Sequence, residues 1–243
     1  MYTDLHCHLL WGIDDGPEDP AATLSMARAL SALGFGAVAP STHAQPQFPG
    51  RADVATRREE VRALLAEQGI ALSLFEGAEN MLDEQFLERE LSDRGWHING
   101  GPWLLVEVPF EAIVPTLAEL VFRLRRKGSR PLFAHPERCA HFEGKGRAEE
   151  VVRTGAGLQL DLGSLIGRYG RPARKLARKF LEAGLYTVAA TDLHGPDGAQ
   201  KWVSEAMREL SHAVGNTELE RLMDANPARI VRGEALDDAP RDT

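Results

Sequence analysis

The sequence predicts an α/β protein built as a (β/α) barrel, and three observations lead to this prediction. Short apolar runs alternate with longer amphipathic ones about seven times along the 243 residues. The repeat of roughly 25–35 residues fits one strand, one crossover helix and their loops. No linker rich in Gly, Ser or Pro divides the chain. We therefore expect one domain over residues 1–234 and a disordered tail over 235–243. Seven units instead of eight imply a short or distorted barrel, and a doubly wound open sheet is the structural alternative.

The predicted strands are brief and apolar, and each is followed by polar or turn residues. This pattern is typical of parallel strands that are buried on both faces. In chain order they are Tyr2–Leu5, Ala37–Pro40, Ala71–Phe75, Trp103–Val106, Pro131–Ala134, Gly157–Leu160 and Tyr186–Ala190.

Amphipathic segments between these strands predict helices. The clearest helix has Asp19 as its N-cap and Pro20 at its first position, and it ends at Gly34. The others are Ala52–Glu67, Glu84–Arg94, Val114–Lys127, Gly146–Thr154, Pro172–Ala183 and Ala199–Ala213, with a short C-terminal pair, Thr217–Asp224 and Pro227–Val231.

Charge and composition exclude several classes of protein. The chain has 28 Lys and Arg against 36 Asp and Glu, a net charge of -8, which disfavours binding to nucleic acid or to anionic membranes. The two cysteines, Cys7 and Cys139, are too few for a disulfide scaffold or a Cys-based zinc domain. No apolar run approaches the ~18 residues of a membrane span, and the N-terminus lacks the features of a signal peptide. We expect a cytoplasmic protein without membrane insertion.

Metal-ligand side chains recur at the ends of the predicted strands. His6 and His8 form H-x-H after the first strand, and residues two apart in an extended segment point the same way. Later ligands are 36 positions apart between His43 and Glu79, then 28 between Glu79 and Glu107, and again 28 between Glu107 and His135. Asp15 in the first loop, and Asp192 with His194 after the seventh strand, complete the set.

One ligand type per β/α unit places these groups at one mouth of a barrel, where active sites form. Imidazoles and carboxylates without thiolates suit Zn, Mn or Fe ions, and the number of groups suits two or three ions. Each residue alone is more often a hydrogen-bonded structural group, so the prediction depends on the whole set. The chain has no C-x5-R, phosphate-binding Gly-rich loop or G-x-S-x-G that would support a different catalytic site.

Several motifs resemble the PHP (polymerase and histidinol phosphatase) phosphoesterase superfamily, and within it the bacterial metal-dependent tyrosine phosphatases of capsule and exopolysaccharide clusters. The resemblance runs from residue 2 to about residue 232. Its motifs are H-C-H at 6–8, G-I-D-D-G at 12–16, L-V-E at 105–107, H-P-E-R at 135–138, G-S-L-I-G at 163–167, D-L-H at 192–194 and N-P at 226–227.

The resemblance implies a distorted (β/α)7 TIM-like barrel, the PHP fold, with a site for two or three divalent ions. Mn is expected first, with Fe, Mg or Zn as alternatives. The implied ligand sets are His6, His8, Glu79 and Asp192 for one ion, Glu79, Glu107 and His135 for the second, and Asp15, His43 and His194 for the third.

Substrate contacts also follow from the resemblance. Arg138 is expected to bind the phosphate. The family tends to have a second Arg shortly after D-x-H; this chain has Ala199 in that stretch, and Lys201 is the candidate replacement. Asp161 stands where the family usually has an uncharged residue.

The resulting hypothesis is hydrolysis of a phosphomonoester by a metal-activated water, without a covalent phosphoenzyme. The substrate is expected to be a phosphotyrosine protein, with a bacterial tyrosine autokinase as partner. The region of Asp192 and His194 is the candidate source of a general acid. Two alternatives stay open. One is a small-molecule PHP phosphatase acting on histidinol phosphate or a nucleotide, and the other is a non-catalytic, metal-stabilised binding module.

Overall fold

Short parallel strands in two sheets form the centre of the computed structural model, which describes residues 1–236. The strands are β1 (Tyr2–Cys7), β2 (Phe35–Pro40), β3 (Ser73–Leu74), β4 (Glu79–Met81), β5 (Trp103–Glu107), β6 (Arg130–Ala134), β7 (Gly157–Asp161) and β8 (Val188–Ala190). One sheet has the order β1-β2-β3 and the other the order β4-β5-β6-β7-β8. Every paired neighbour is parallel, as expected for alternating strands and helices. The predicted tail falls mostly outside the described residues.

All seven predicted strands are present, but the third unit of the barrel contains an additional strand. β3 keeps only two residues of the predicted Ala71–Phe75, and β4 begins at Glu79. Glu79 follows the predicted third strand, as expected, but it is also the first residue of the additional strand. The chain passes very close to β2 between the two strands. A Cβ on Gly77 would lie 2.8 Å from the carbonyl oxygen of Pro40, so a side chain does not fit there.

Helices follow most strands. They are α1 (Pro20–Ala32), α2 (Arg51–Glu67), α3 (Glu84–Leu91), α4 (Leu117–Lys127), α5 (Ala140–Glu143), α6 (Arg147–Arg153), α7 (Leu162–Leu165), α8 (Gly170–Glu182), α9 (Ala199–Glu220) and α10 (Asn226–Val231). The predicted N-cap is confirmed, since the Asp19 carboxylate accepts a hydrogen bond of 2.8 Å from the backbone of Ala22.

The C-terminal helices largely follow the prediction. α9 is assigned from Ala199 to Glu220, but Gly215 within it has a non-helical backbone, with a φ of 78° and a ψ of 168°, so two helices meet there across a kink. Glycine adopts this conformation without a steric penalty. The predicted break between Ala213 and Thr217 is therefore confirmed, and a π-helical segment, Arg221–Ala225, leads into α10.

The two sheets are linked to each other by single bridges. Cys7 at the end of β1 pairs in parallel with Leu193 beyond β8, and His43 beyond β2 pairs in parallel with Glu79 in β4. Backbone hydrogen bonds support both links, from His8 to the Leu193 carbonyl (2.9 Å) and from Glu79 to the Thr42 carbonyl (3.0 Å). Strand ends that carry predicted ligands are thereby brought together.

Alternate strand residues divide between two apolar clusters. In β5, Leu104 and Val106 belong to the larger cluster, whereas Trp103 and Leu105 belong to the smaller one, together with Ile230 of α10. This alternation is the signature of strands covered on both faces. Within residues 1–236, no helix is long and apolar enough to cross a membrane.

Candidate metal centre

The structure brings all nine predicted ligands together, most of them at or just beyond the carboxyl ends of the strands. Their potential ligand atoms form four overlapping groups, and within each group the atoms lie no more than 4.8 Å apart. The groups are His8, Asp15, His43 and His194; His6, His135 and Asp192; His6, His8 and Glu79; and His43, Glu79 and Glu107. In this grouping His8 joins the third implied set. His135 is grouped with His6 and Asp192, and its Nε2 also lies 3.0 Å from Glu79 Oε1 and 3.8 Å from Glu107 Oε1, as in the second implied set.

Glu79 lies at the centre of the cluster. Its Oε2 is 3.3 Å from His6 Nε2, 3.4 Å from His8 Nε2 and 3.2 Å from His43 Nδ1. Its Oε1 is 3.0 Å from His135 Nε2. Burial alone would raise the pKa of Glu79, but the facing imidazoles outweigh burial and hold it well below its ordinary value. A carboxylate whose two oxygens face different imidazoles has the arrangement of a bridging ligand.

Unsatisfied polar atoms mark the floor of the cluster. His6 Nε2, His8 Nε2 and Asp192 Oδ1 are buried, and none of the three has a hydrogen-bond partner. They nevertheless face one another, with His6 Nε2 3.0 Å and His8 Nε2 3.7 Å from Asp192 Oδ1. Buried polar atoms in folded proteins are nearly always paired. Convergent lone pairs on imidazole and carboxylate suit a divalent cation, so these residues fit a metal ion.

The rim of the cluster is more open to solvent. Asp15 Oδ1 is 3.3 Å from His43 Nε2 and 3.4 Å from His194 Nε2. The Asp15 side chain is 59% exposed, whereas the His6 and His8 side chains are completely buried. Hydrogen bonds to His194 and His43 lower the pKa of Asp15, so this rim carboxylate is ionised. Solvent exposure therefore increases from the buried floor of the cluster to its rim.

Two further residues orient the imidazoles. Asp14 accepts a hydrogen bond from His8 Nδ1 (2.8 Å) and another from the backbone of His43 (3.0 Å). Gln159 in β7 accepts from His6 Nδ1 (2.9 Å) and from the backbone of His135 (3.2 Å). Both contacts leave the Nε2 atoms of His6 and His8 facing the cluster, which is the usual task of partners behind metal ligands.

These partners were not predicted as site residues. Asp14 stands beside Asp15 in the G-I-D-D-G motif, so its proximity was visible. The signal for Gln159 was weaker, a single amide between Leu158 and Leu160 in a buried strand.

Strained backbone occurs at two of the ligands. His135 has a φ of 31° and Asp192 a φ of 51°, and both values are left-handed for residues that carry a Cβ. Such conformations cost about 1–3 kcal/mol and persist where the surrounding structure enforces them, often at functional sites. At Gly16 a Cβ would lie 2.7 Å from the carbonyl oxygen of His8, so the loop that carries Asp15 can approach β1 only with glycine there.

Arg138 borders the cluster on its other side. Its Nη1 donates to Asp192 Oδ2 (2.6 Å) and to Asp161 Oδ2 (3.0 Å). The guanidinium lies between two aromatic rings, 4.8 Å from the centre of Phe110 and 4.0 Å from that of Tyr169. These rings and Arg138 help line a cavity of about 270 Å³. A cation stacked between rings beside a metal-type cluster can receive an aromatic anion.

Comparison with known proteins identifies the family. Residues 2–232 match the family described as capsular polysaccharide synthesis, CpsB/CapC. The chain belongs to the CpsB/CapC family. The resemblance drawn from the sequence motifs is thereby confirmed.

Named relatives of this CpsB/CapC chain are phosphatases. It is 27% identical to the tyrosine-protein phosphatase YwqE of Bacillus subtilis, over 96% of this chain and 92% of that protein. It is 22% identical to the tyrosine-protein phosphatase CpsB of Streptococcus agalactiae, over 96% of this chain and 99% of that one. A crystal structure described as YwqE from Bacillus subtilis and CpsB from Streptococcus pneumoniae, unique metal-dependent tyrosine phosphatases, superposes with a TM-score of 0.89 at 26% identity. The match covers 99% of this chain and 98% of that one.

Asp161 and Lys201, which the motif resemblance singled out, have different surroundings in this CpsB/CapC protein. Asp161 is fully buried at the end of β7 and bonds Arg138 and the backbone of Gly163 (2.7 Å). Burial and the nearby Asp192 raise the pKa of Asp161 well above its ordinary value. Lys201 is exposed in the first turn of α9, and among residues 1–236 no hydrogen bond or ion pair joins it to the cluster. Asp161 therefore holds Arg138, whereas Lys201 lines a groove outside the mouth.

Proposed function

We propose that this CpsB/CapC protein is a metal-dependent protein-tyrosine phosphatase of capsule or exopolysaccharide synthesis, which hydrolyses a phosphomonoester with water. One observation carries the proposal. Asp192 has one oxygen unsatisfied among His6 and His8, while its other oxygen bonds Arg138. A cation-binding floor and a phosphate-binding guanidinium are therefore adjacent, which is the pairing that phosphoryl transfer requires.

The nine clustered residues would hold two or three divalent ions. One ion would be held by His6, His8 and Asp192 on the buried floor, with Glu79, and a second by Glu79, Glu107 and His135. Asp15, His43 and His194 at the rim would hold a third. When bound, such ions supply positive charge that lowers the pKa of a water nucleophile and offsets charge on the phosphoryl oxygens. Without ions, burial and the negative charge of Glu79 raise the pKa of Glu107 to about 7.

Arg138 and its two aromatic neighbours would receive the substrate. The guanidinium carbon lies 4.8 Å from the ring centre of Phe110 and 4.0 Å from that of Tyr169, and an arginine can bind phosphate oxygens through a planar fork of donors. Phe110 is 41% exposed, so its ring can also contact the tyrosyl group. The phenol of tyrosine has a pKa of about 10, lower than that of an alkyl alcohol, so little protonation of the leaving group is needed. Of the two candidates for this proton, Asp192 and His194, burial alone would raise the pKa of Asp192, but His6 outweighs burial and holds that pKa well below the ordinary value. His194 at the rim is therefore the candidate that this proposal keeps.

We also infer that the strands close into a distorted seven-unit barrel. The bridges Cys7–Leu193 and His43–Glu79 support this inference, because they join the two sheets along both sides. With β3 and β4 counted as one interrupted strand, the two links would complete a parallel ring of seven strands.

Metal analysis combined with substrate selectivity tests the function. We expect protein loaded with Mn²⁺ to retain two or three ions and to hydrolyse a phosphotyrosine peptide faster than histidinol phosphate. EDTA should abolish turnover and lower the melting temperature, because the ions bind only the native state. Mass spectrometry during turnover should find no phosphorylated protein.

Three results would contradict the proposal in different ways. Preference for histidinol phosphate or a nucleotide would identify a small-molecule phosphatase. Retained metal without hydrolysis of any aryl phosphate would identify a binding module. Full activity in protein free of metal would show that hydrolysis does not depend on metal ions bound by the cluster. The preference for Mn, the autokinase as substrate and the cytoplasm as place of action stay predictions.

A further inference from the structure

A groove between α1 and α9 leads away from the mouth of the site. It encloses about 840 Å³ and is lined by side chains of both helices. Ala29 and Ala32 of α1 are among the small residues that line it, while Arg28, Lys201 and Arg208 are its charged residues. Small residues between two helices leave the space that a peptide backbone needs.

The charge of this groove differs from that of the whole chain. Its lining contains three cations and no carboxylate, although the protein carries a net charge of -8. Lys201 and Arg208 have no ion-pair partner among residues 1–236, and Arg28 bonds only the neutral amide of Gln68 (2.9 Å). On the α8 side of α9, by contrast, Arg178 is paired with Glu209 (3.2 Å). The unpaired cations therefore create a local positive potential that suits a negatively charged partner.

The groove begins close to the metal centre. Pro196 and Gly198 line it, and His194 stands only two residues before Pro196. From Lys201 to Arg208 the helix rises by about 10 Å, at 1.5 Å per residue. An extended peptide covers this length with about three residues. A chain that places its phosphotyrosine at the cluster can therefore lay an adjacent acidic stretch along these cations.

We propose that this groove binds an acidic segment flanking the phosphotyrosine of the substrate protein. The proposal rests on the proposed phosphatase function, and it adds a requirement for sequence around the target tyrosine. Lys201, which lacks contact with the cluster, then acts on the flanking peptide instead of on the phosphate.

Matched peptides and charge-reversal variants test the groove. Two phosphotyrosine peptides would differ only in four flanking residues, all Glu in one and all Gln in the other. We expect the wild-type protein to show a higher kcat/KM for the Glu peptide, and the Arg28→Glu/Arg208→Glu variant to lose about threefold or more of that preference, given 0.2–1 kcal/mol for each exposed ion pair. The preference should also fall as salt is raised.

A control variant separates this effect from a change in net charge. Arg123→Glu/Arg126→Glu makes the same charge change on α4, which contributes no residue to the groove, and it should keep the wild-type preference. Hydrolysis of p-nitrophenyl phosphate should be unchanged in both variants. Circular dichroism would check folding, and Arg208→Gln is the milder variant if the double variant does not fold.

The outcomes separate the two proposals. No Glu preference in the wild type, or the same loss in the α4 variant, overturns the groove while p-nitrophenyl phosphate hydrolysis upholds the phosphatase. If the metal-loaded protein hydrolyses nothing, anisotropy of fluorescein-labelled peptides still decides the groove. The groove proposal is supported if the wild-type protein binds the Glu peptide more tightly and the variant Arg28→Glu/Arg208→Glu loses this difference. Equal binding of both peptides to the wild-type protein refutes it.

Discussion

Two Glu–His networks lie at opposite ends of β5 and β6, and they differ in how their polar atoms are satisfied. At the amino ends, the Glu90 carboxylate accepts from Ser129 Oγ and lies 3.1 Å from His97 Nε2, while His97 Nδ1 bonds the Gly101 carbonyl (2.7 Å). At the carboxyl ends, the network around Glu79 leaves buried imidazole and carboxylate atoms unpaired.

The difference distinguishes a structural network from a functional one. Glu90 is 2% exposed and Glu79 is 2% exposed, so burial does not separate them. Hydrogen bonding does separate them. The network around Glu90 satisfies its own polar atoms, whereas the network around Glu79 requires an external partner. Removing the central carboxylate from each should therefore damage different properties of the protein.

The largest effect is expected for Glu79→Ala. Loss of the bridging carboxylate should reduce kcat/KM by about 10³-fold or more, since changes behind metal ligands already cost 10–100-fold. The fold should persist, because the links from Glu79 to Thr42 and Ala44 use only its backbone. Metal analysis, p-nitrophenyl phosphate turnover and thermal melting would test this. An active, metal-replete Glu79→Ala protein would contradict the bridging role.

Glu90→Ala should have the converse effect. Ser129 Oγ and His97 Nε2 would lose their shared acceptor in a largely buried place, and we expect the free energy of unfolding to fall by about 2–4 kcal/mol. Urea denaturation measures this, while kcat/KM per folded molecule should equal that of the wild type. If activity fell and stability did not, the division between the two networks would be wrong.

The sequence predicted the members of the cluster better than the residues that orient them. His6, His8 and the ligands near later strand ends could be recognised because parallel strands deliver their carboxyl ends to one mouth. Gln159 acts through a hydrogen bond to a ring nitrogen, and nothing in its local sequence encodes which imidazole it meets. The same holds for Glu90 and Ser129, which are 39 residues apart.

The fold was also predicted unevenly. Strand positions follow from apolar runs bounded by turns, so all seven appeared. The extra strand β4 contains Glu79 and Asn80, two polar residues that are buried only because of their tertiary partners. By contrast, the kink of α9 at Gly215 falls between the two helices that the sequence predicted, Ala199–Ala213 and Thr217–Asp224.

A moderate effect is expected for Arg138→Lys. An ammonium group keeps the charge but cannot stack as a plane between Phe110 and Tyr169 or offer a fork to phosphate. We expect kcat/KM for a phosphotyrosine peptide to fall by about 10- to 100-fold, with metal content unchanged. The exposed substitution Arg153→Lys on α6 is the matched control. If the metal content fell in Arg138→Lys but not in the control, Arg138 would support the metal centre instead of binding the substrate.

The smallest expected effect is the pH dependence of the stability that the network around Glu90 contributes. Burial raises the pKa of Glu90, but hydrogen bonds from His97 and Ser129 outweigh burial, so its pKa in the folded protein lies below the ordinary value. Its contribution to stability is therefore complete above the unfolded pKa of about 4.3 and is lost as pH falls through the folded pKa. The difference in unfolding free energy between wild type and Glu90→Gln should therefore shrink as the pH falls below about 5. Acids of the metal centre titrate in both proteins and cancel in this difference. If this difference in unfolding free energy grew on acidification, the folded protein would favour the protonated form of the Glu90 carboxyl. The contrast drawn between the network around Glu90 and the metal centre would then be wrong.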